Sequence, residues 1–343
     1  MISFLPETVP VSLVLPTLLA LVLLIGWAMA GRLASLNIGN PLERFLLFIL
    51  LGVTAISWVG ALLAALNWFR PWILFPVLAL VGLGRWLTAR QYHSLAAGNE
   101  DAKQTDGLPA QILKTEKPIP WFAQVLLIAI FIGAGWLYGH PAETFNLSDD
   151  SAVYTIGGIV LARDGSLFFR PPSVYDFASL TPIKPDAEQT IQSWEPQEDF
   201  VQQFSFTDLL ASAWTRHLGP FYQWSLEDGR LEIGFLPFPK VWAALAVWFF
   251  GPARAIWAAP LFGLLGLFSL FGLLRRSVGW APALAAVALL AGILPQVWYA
   301  RVMLSEIFAQ TVLIGGLYLA ALAHKKATQG SPFADDLAAW SAL

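Results

Sequence analysis

The sequence predicts an all-α polytopic membrane protein of about seven or eight transmembrane helices, with a long external loop that carries interfacial helices and a β-hairpin. Three observations predict it. Hydrophobic residues make up 57% of the 343-residue chain and charged residues 13%, against roughly 25% charged in a soluble domain. The apolar residues gather in uncharged runs close to the ~20 residues that span a bilayer. Between two sets of these runs lies a polar stretch, 140–233, holding 14 acidic residues against 5 Lys and Arg.

Taken in order, run 9–30 is the first span. Ala28-Met29-Ala30 imitates a cleavage site, but residues 1–12 contain Glu7 and no Lys or Arg. A signal peptide has a positive n-region, so the run is expected to be a retained anchor. Runs 45–66 and 71–88 follow, and Arg85 in the second can snorkel to an interface; residues 1–88 thus form an N-terminal region of three transmembrane helices. Residues 89–118 hold Arg90, Lys103, Lys114 and Lys117. The positive-inside rule makes this a cytoplasmic loop, as Arg32 and Arg44 do for the first connector. Run 119–139 then exits to the outside, and 140–235 is the external loop. A loop of that length is expected to carry structure and function of its own.

Within it, Ser148 is a reasonable N-cap, with Asp149 and Asp150 in the favourable first turn of a helix. Val153, Ile156 and Val160 line one face, and Asp164-Gly165 is a stop signal. An amphipathic helix lying on the membrane surface is expected. Asp228-Gly229 between two strand-like runs predicts the hairpin in 221–235. The region 236–323 is expected to hold the C-terminal transmembrane helices, in runs 236–251, 254–274, 280–298 and 303–323. Its basic clusters are Arg275-Arg276 and His324-Lys325-Lys326. If both are cytoplasmic, 277–323 is a hairpin with its tip outside; three full crossings between 235 and 300 would put that tip inside. A re-entrant segment or an external Arg pair would each remove the conflict. Residues 324–343 form a polar tail, and the chain is expected to be C-terminally truncated, because no closing element follows.

Several classes are excluded. There are no cysteines, hence no disulfides, iron–sulfur clusters or thiolate zinc sites. His140 and His217 stand alone, without zinc-ligand spacing. A net charge of −3 and the lack of a long Lys/Arg run argue against a nucleic-acid partner. Walker, dinucleotide-binding and Gly-x-Ser-x-Gly patterns are absent.

Asp149 and Asp150 are the first candidate site residues. As helix caps they need no function. As carboxylates beside a membrane exit, they can deprotonate an attacking hydroxyl or hold a divalent cation that binds a phosphate leaving group. In "LPQVWYARVMLSEIFAQ" (294–310), Arg301 and Glu306 interrupt an apolar region, where ionisable groups are costly and usually functional. Arg301 suits a phosphate; an internal Arg–Glu pair is the alternative. Arg170, beside Pro171-Pro172, is a second phosphate candidate or simply a loop residue. Lys240 is expected to be a snorkelling anchor. No cofactor motif is present. Mg²⁺ or Mn²⁺ is the candidate cofactor, with Asp149, Asp150 and Glu306 as its ligands.

These features resemble the GT-C superfamily of membrane glycosyltransferases, of the protein mannosyltransferase and aminoarabinose transferase type. The resemblance covers about 120–323. It rests on an acid in the first large external loop with an aromatic four residues on (Asp150 and Tyr154), then "TIGGIVLARDGSL". It rests also on the order of elements in 235–306: a Pro-containing entry to a span, a Gly/Arg turn, a span ending in Arg-Arg, a span ending in Pro, then Tyr299, Arg301 and Glu306. The resemblance implies transfer of a sugar from a polyprenyl-phosphate donor in the lipid to an acceptor of unspecified kind on the external face. Asp150 would be the base or acceptor-positioning acid, with Asp149 beside it. Glu306 would be the second acid, and Arg301 a phosphate ligand. A bacterial plasma membrane is the expected location, because the long loop has a single Asn-x-Ser/Thr match, at Asn146. The alternative functions are a non-catalytic membrane scaffold or assembly protein, and a transporter; the second predicts broken helices in inverted repeats.

Overall fold

A computed structural model describes residues 13–30, 41–97, 119–141, 150–169, 216–217, 221–225, 230–328 and 334–342. The chain opens with three helices, α1 (Val14–Ala30), α2 (Pro41–Ala65) and α3 (Pro71–Ala97), followed by α4 (Trp121–Tyr138) and α5 (Asp150–Asp164). Short strands β1 (Phe168–Phe169), β2 (Arg216–His217), β3 (Phe221–Ser225) and β4 (Arg230–Ile233) come next. The remaining helices are α6 (Pro237–Phe250), α7 (Ala258–Val278), α8 (Trp280–Gly292), α9 (Leu294–Arg301), α10 (Ser305–Thr328) and α11 (Ala334–Ala342).

The first run is a working member of the bundle. Gly26 of α1 lies against the Phe48 carbonyl of α2, and Gly52 of α2 against the Val22 carbonyl of α1. Neither position has room for a Cβ. Lipid is as apolar as leucine, so helices in a membrane associate through such close backbone approach rather than by a hydrophobic driving force.

Four helices are long and apolar enough to cross a membrane: Arg44–Ala65, Trp121–Tyr138, Pro252–Val278 and Ser305–Lys325. The pair α8 and α9, bent by 64°, makes a fifth if it counts as one span. Val14–Ala30, Pro71–Leu87 and Pro237–Phe250 are apolar but shorter. By length and composition the described residues therefore hold four long spans, or five with the bent pair, beside these three shorter apolar helices. A small sheet of order β1-β4-β3-β2, antiparallel throughout, joins this predominantly helical architecture. The strands β3 and β4 flank Asp228-Gly229 and pair with each other, with an irregularity between Gln223 and Ser225. Residues 226–229 lie outside the described residues.

The run 236–251, expected to cross, does something else. Its helix α6 has 14 residues, about 21 Å of rise, against ~30 Å of hydrocarbon. It runs alongside α5. Gly158 of α5 meets Ala243 and the Lys240 carbonyl, and Trp248 Nε1 donates to the Ala162 carbonyl at 3.0 Å. On its other side Trp242 Nε1 donates to Ser57 Oγ of α2 at 2.9 Å. Gly251, at φ 86°, ends the helix before a 3₁₀ segment, Pro252–Trp257.

With α6 removed from the crossings, the conflict over the basic clusters disappears. Gly272 of α7 touches both Leu46 near the start of α2 and Tyr318 in the second half of α10. The Arg276 guanidinium lies 5.4 Å from the centre of the Tyr318 ring. Phe122, at the start of α4, meets Trp280, at the start of α8, with ring centres 5.5 Å apart. Arg275-Arg276 and the end of α10 thus share one end of the bundle. At the opposite end α8 bends. Pro295 lacks an N–H and cannot donate to the Ala291 carbonyl four residues back; Tyr138 Oη of α4 donates to that carbonyl instead, at 3.1 Å.

Candidate functional site

Helix α5 is pinned at both ends, by different chemistry. At its C-terminus Gly165 takes φ 72°, and its N–H donates to the Leu161 carbonyl at 2.8 Å. The last carbonyls of a helix have no partner within it. Here Arg70, from the α2–α3 connection, donates Nη1 to the Arg163 carbonyl at 2.6 Å and Nη2 to the Asp164 carbonyl at 2.5 Å. A guanidinium also complements the negative end of the helix dipole. Phe69 N–H donates to the Gly165 carbonyl at 3.0 Å, and Ser166 Oγ donates to Asn67 Oδ1. Arg163 makes two hydrogen bonds to the Asp164 carboxylate, at 2.7 and 2.8 Å, which raise its pKa further.

At the N-terminus α5 docks on the turn between α9 and α10. Ser151 is fully buried, and its Oγ accepts the Met303 N–H at 3.2 Å. One turn on, Tyr154 is 2% exposed, and its ring lies 5.8 Å from that of Phe235. Burial raises the Tyr154 pKa above the ordinary 10.0; interaction with the Ser305 side chain opposes this, the Asp150 and Glu306 charges add to it, and the Leu236 backbone opposes it weakly. One phenol therefore feels both carboxylates. Asp150 stands in the first turn of α5 and Glu306 in the first turn of α10, and both are exposed. Each sits where a helix N-terminus favours negative charge. Ser305 Oγ donates to Glu306 Oε2 at 3.3 Å.

The residues singled out from sequence divide as follows. Asp150 and Tyr154 on α5 and Glu306 on α10 lie at the same end of the bundle, where Ser151 Oγ accepts the Met303 N–H. Arg301 ends α9 at the same end of the bundle, and its Nε donates to the His140 carbonyl at 2.5 Å. Among the described residues Arg301 and Glu306 form no ion pair, whereas Arg163 pairs with Asp164. Tyr299 packs against the bundle core. Asp149, Arg170 and the N-cap Ser148 lie outside the described residues. No group of three or more His, Cys, Asp and Glu side chains gathers among the described residues, so Asp150 and Glu306 are two acids of the expected cation site and Asp149, the third, falls outside.

Two expectations are corrected. Helix α5 does not have one apolar face: Tyr154 and Leu161 belong to the main core, while Val153, Val160 and Ile156 form a second cluster. The helix buries residues on both of these sides. Lys240 is not a snorkelling anchor. It is 1% exposed, with Nζ donating to the Phe235 carbonyl at 3.1 Å.

Sequence reasoning missed Ser151, Ser305 and Arg70. Ser305-Glu306 before an apolar run is a helix-start signal, and it could have marked the beginning of α10. Nothing local to Arg70 announces that it caps a helix more than ninety residues away. No protein-family model, no curated protein and no solved structure matches the chain.

Proposed function

We propose that the chain is a glycosyltransferase of the GT-C type, moving a sugar from a polyprenyl-phosphate donor to an acceptor at the external face of a bacterial plasma membrane. In this reading the shorter apolar helices α1 and α3 also cross, and with the bent pair as one span the bundle has seven. The observation that carries the reading is that Asp150 and Glu306, from distant parts of the sequence, stand in the first turns of two helices whose starts the Met303–Ser151 hydrogen bond brings to one end of the bundle, remote from Arg275-Arg276.

The chemistry follows from that arrangement. Asp150 takes the proton of an acceptor hydroxyl as its oxygen attacks the anomeric carbon. The bond from that carbon to the phosphate oxygen breaks, and the electron pair leaves with the polyprenyl phosphate. Glu306 positions the acceptor from the start of α10. Arg301, whose Nε is held by a backbone carbonyl, offers its Nη groups to the leaving phosphate. A Mg²⁺ or Mn²⁺ ion held by the acids would neutralise the same phosphate.

A cleft between α2, α10 and α11, lined by Trp58, Phe238, Val312 and Trp340 among others, encloses about 50 Å³. That admits a few water-sized groups and not an isoprenoid chain. Exposed side chains such as Leu313 and Leu317 of α10 offer the donor tail an apolar surface in the lipid.

The test is a panel of polyprenyl-phosphate sugars offered to the purified full-length chain in lipid. Release or transfer of sugar from at least one member is the expected result. No turnover with any donor, by protein that is folded, overturns the proposal.

A further inference from the structure

We infer that Phe235 is a stacking platform for the donor sugar, held beside the candidate site in a strained backbone conformation by the buried ammonium of Lys240. The choice of a sugar as occupant rests on the function proposed above; the strained turn and its holder do not. Phe235 lies between β4 and α6 and takes φ 71°. The other described non-glycine residue at positive φ is Asn67, a type that tolerates the left-handed region. A phenylalanine there is an outlier, and such strain persists only where the surroundings over-determine it. Gly234, the residue type suited to that conformation, stands immediately before it.

Lys240 goes against two further rules. It lies one turn into α6, at the end where the helix dipole disfavours a cation. It is also 1% exposed, and a buried charge is costly. Its Nζ donates to the Phe235 carbonyl at 3.1 Å. A charge-assisted bond from a side chain fixed inside the bundle holds that carbonyl, and with it the turn. Local rules broken together mark a functional place, and what this turn sets is the position of one ring.

That ring is 49% exposed. It packs on Tyr154, with centres 5.8 Å apart and planes inclined at 56°. Tyr154 is itself buried and stands four residues after Asp150, on the same side of α5. An exposed aromatic ring next to the helix face that carries a carboxylate offers two kinds of contact at once. The negative face of the ring attracts the partly positive C–H groups on one side of a sugar. The carboxylate accepts from the sugar's hydroxyls. An isoprenoid chain would use the ring alone, whereas a sugar uses both.

Three measurements test it, and they separate the turn from the sugar. Phe235→Ala and Phe235→Gly both delete the ring, but only glycine relieves the positive φ. The glycine variant should therefore unfold at the higher temperature, the reverse of the order at an ordinary position; the ordinary order overturns the strain. Second, trifluoromethylphenylalanine at position 235 gives one fluorine resonance in the substrate-free protein, and Lys240→Met should move it. An unmoved resonance overturns the holding role. If Lys240→Met does not fold alone, adding Phe235→Gly should rescue it, because the relaxed turn needs no holder; failure of both overturns the role as well.

Third, the fluorine-labelled protein is titrated with polyprenyl-phosphate sugars and with the bare polyprenyl phosphate. A sugar-bearing lipid should move the resonance and the bare lipid should not. Equal shifts from the two, or none from any sugar, overturn the platform. In turnover, Phe235→Leu should raise KM for the donor about fivefold, the worth of one stacking contact, with kcat little changed. Phe235→Tyr should recover most of that loss, and an unchanged KM in Phe235→Leu overturns the contact. If sugar lipids move the resonance and the wild type transfers none of them, the platform stands and the glycosyltransferase proposal falls.

Discussion

The two ends of α5 use polar groups in opposite ways. At the C-terminal end every described polar group is satisfied by a neighbour: Arg70 on two carbonyls, Arg163 on Asp164, Ser166 on Asn67. At the N-terminal end Ser151 fixes the helix to the Met303 N–H, yet the Asp150 carboxylate makes no hydrogen bond or ion pair among the described residues. Among the described residues Glu306 accepts only from its neighbour Ser305. A helix clamped at one end by mutual pairing can present charge at the other without losing its place. The comparison separates residues that hold the helix from residues left available to a ligand, a distinction that residue type alone does not make.

That contrast can be broken by substitution, and the largest stability effect belongs to the clamped end. Arg70→Ala removes two charge-assisted bonds and leaves helix-end carbonyls without a partner. It should cost about 2–3 kcal/mol, read as a lower unfolding temperature of the detergent-solubilised protein. Trp248→Phe, which removes the donor to the Ala162 carbonyl, should cost about 1 kcal/mol in the same assay. Asp150→Asn should change stability by less than about 1 kcal/mol, the worth of a charge at a helix N-terminus. Arg163→Ala, an exposed pair, should lie at about 0–0.5 kcal/mol. If Asp150→Asn destabilises more than Arg70→Ala, the two ends have been assigned the wrong roles.

A pH scan sharpens the same point. The folded-state pKa of Tyr154 is raised. Its stabilising contribution is therefore fully present below the unfolded value of about 10, and is lost as pH rises from there through the folded pKa. Stability measured in that alkaline window should fall less steeply in Tyr154→Phe than in the wild type. An identical slope in both proteins would remove Tyr154 from the titration.

Much of the bundle was legible in the sequence because span length, Gly stops and basic clusters are local signals. Asp164-Gly165 ended α5 as expected, and Gly165 takes the positive φ that such a stop requires. The run 236–251 was misjudged because apolarity reports burial, and α6 is buried by protein: between α5 and α2, rather than by crossing lipid. Lys240 misled for the same reason, since a lysine near an apolar boundary looks alike whether its ammonium reaches water or a backbone carbonyl. Of the candidate site, the acids were legible by their placement at the edges of apolar runs. Ser151, Ser305 and Arg70 were not, because their roles exist only once α5 has docked on distant segments.

The most direct test of the account compares turnover of the polyprenyl-phosphate sugar donor by wild type, Asp150→Asn, Glu306→Gln and the double variant. If the two acids form one site, each single variant should lose at least about a hundredfold in kcat, and the double variant should lose far less than the product of the two, with unfolding temperatures close to wild type. Wild-type turnover in either single variant would contradict the central claim that these two helix N-termini make one catalytic site.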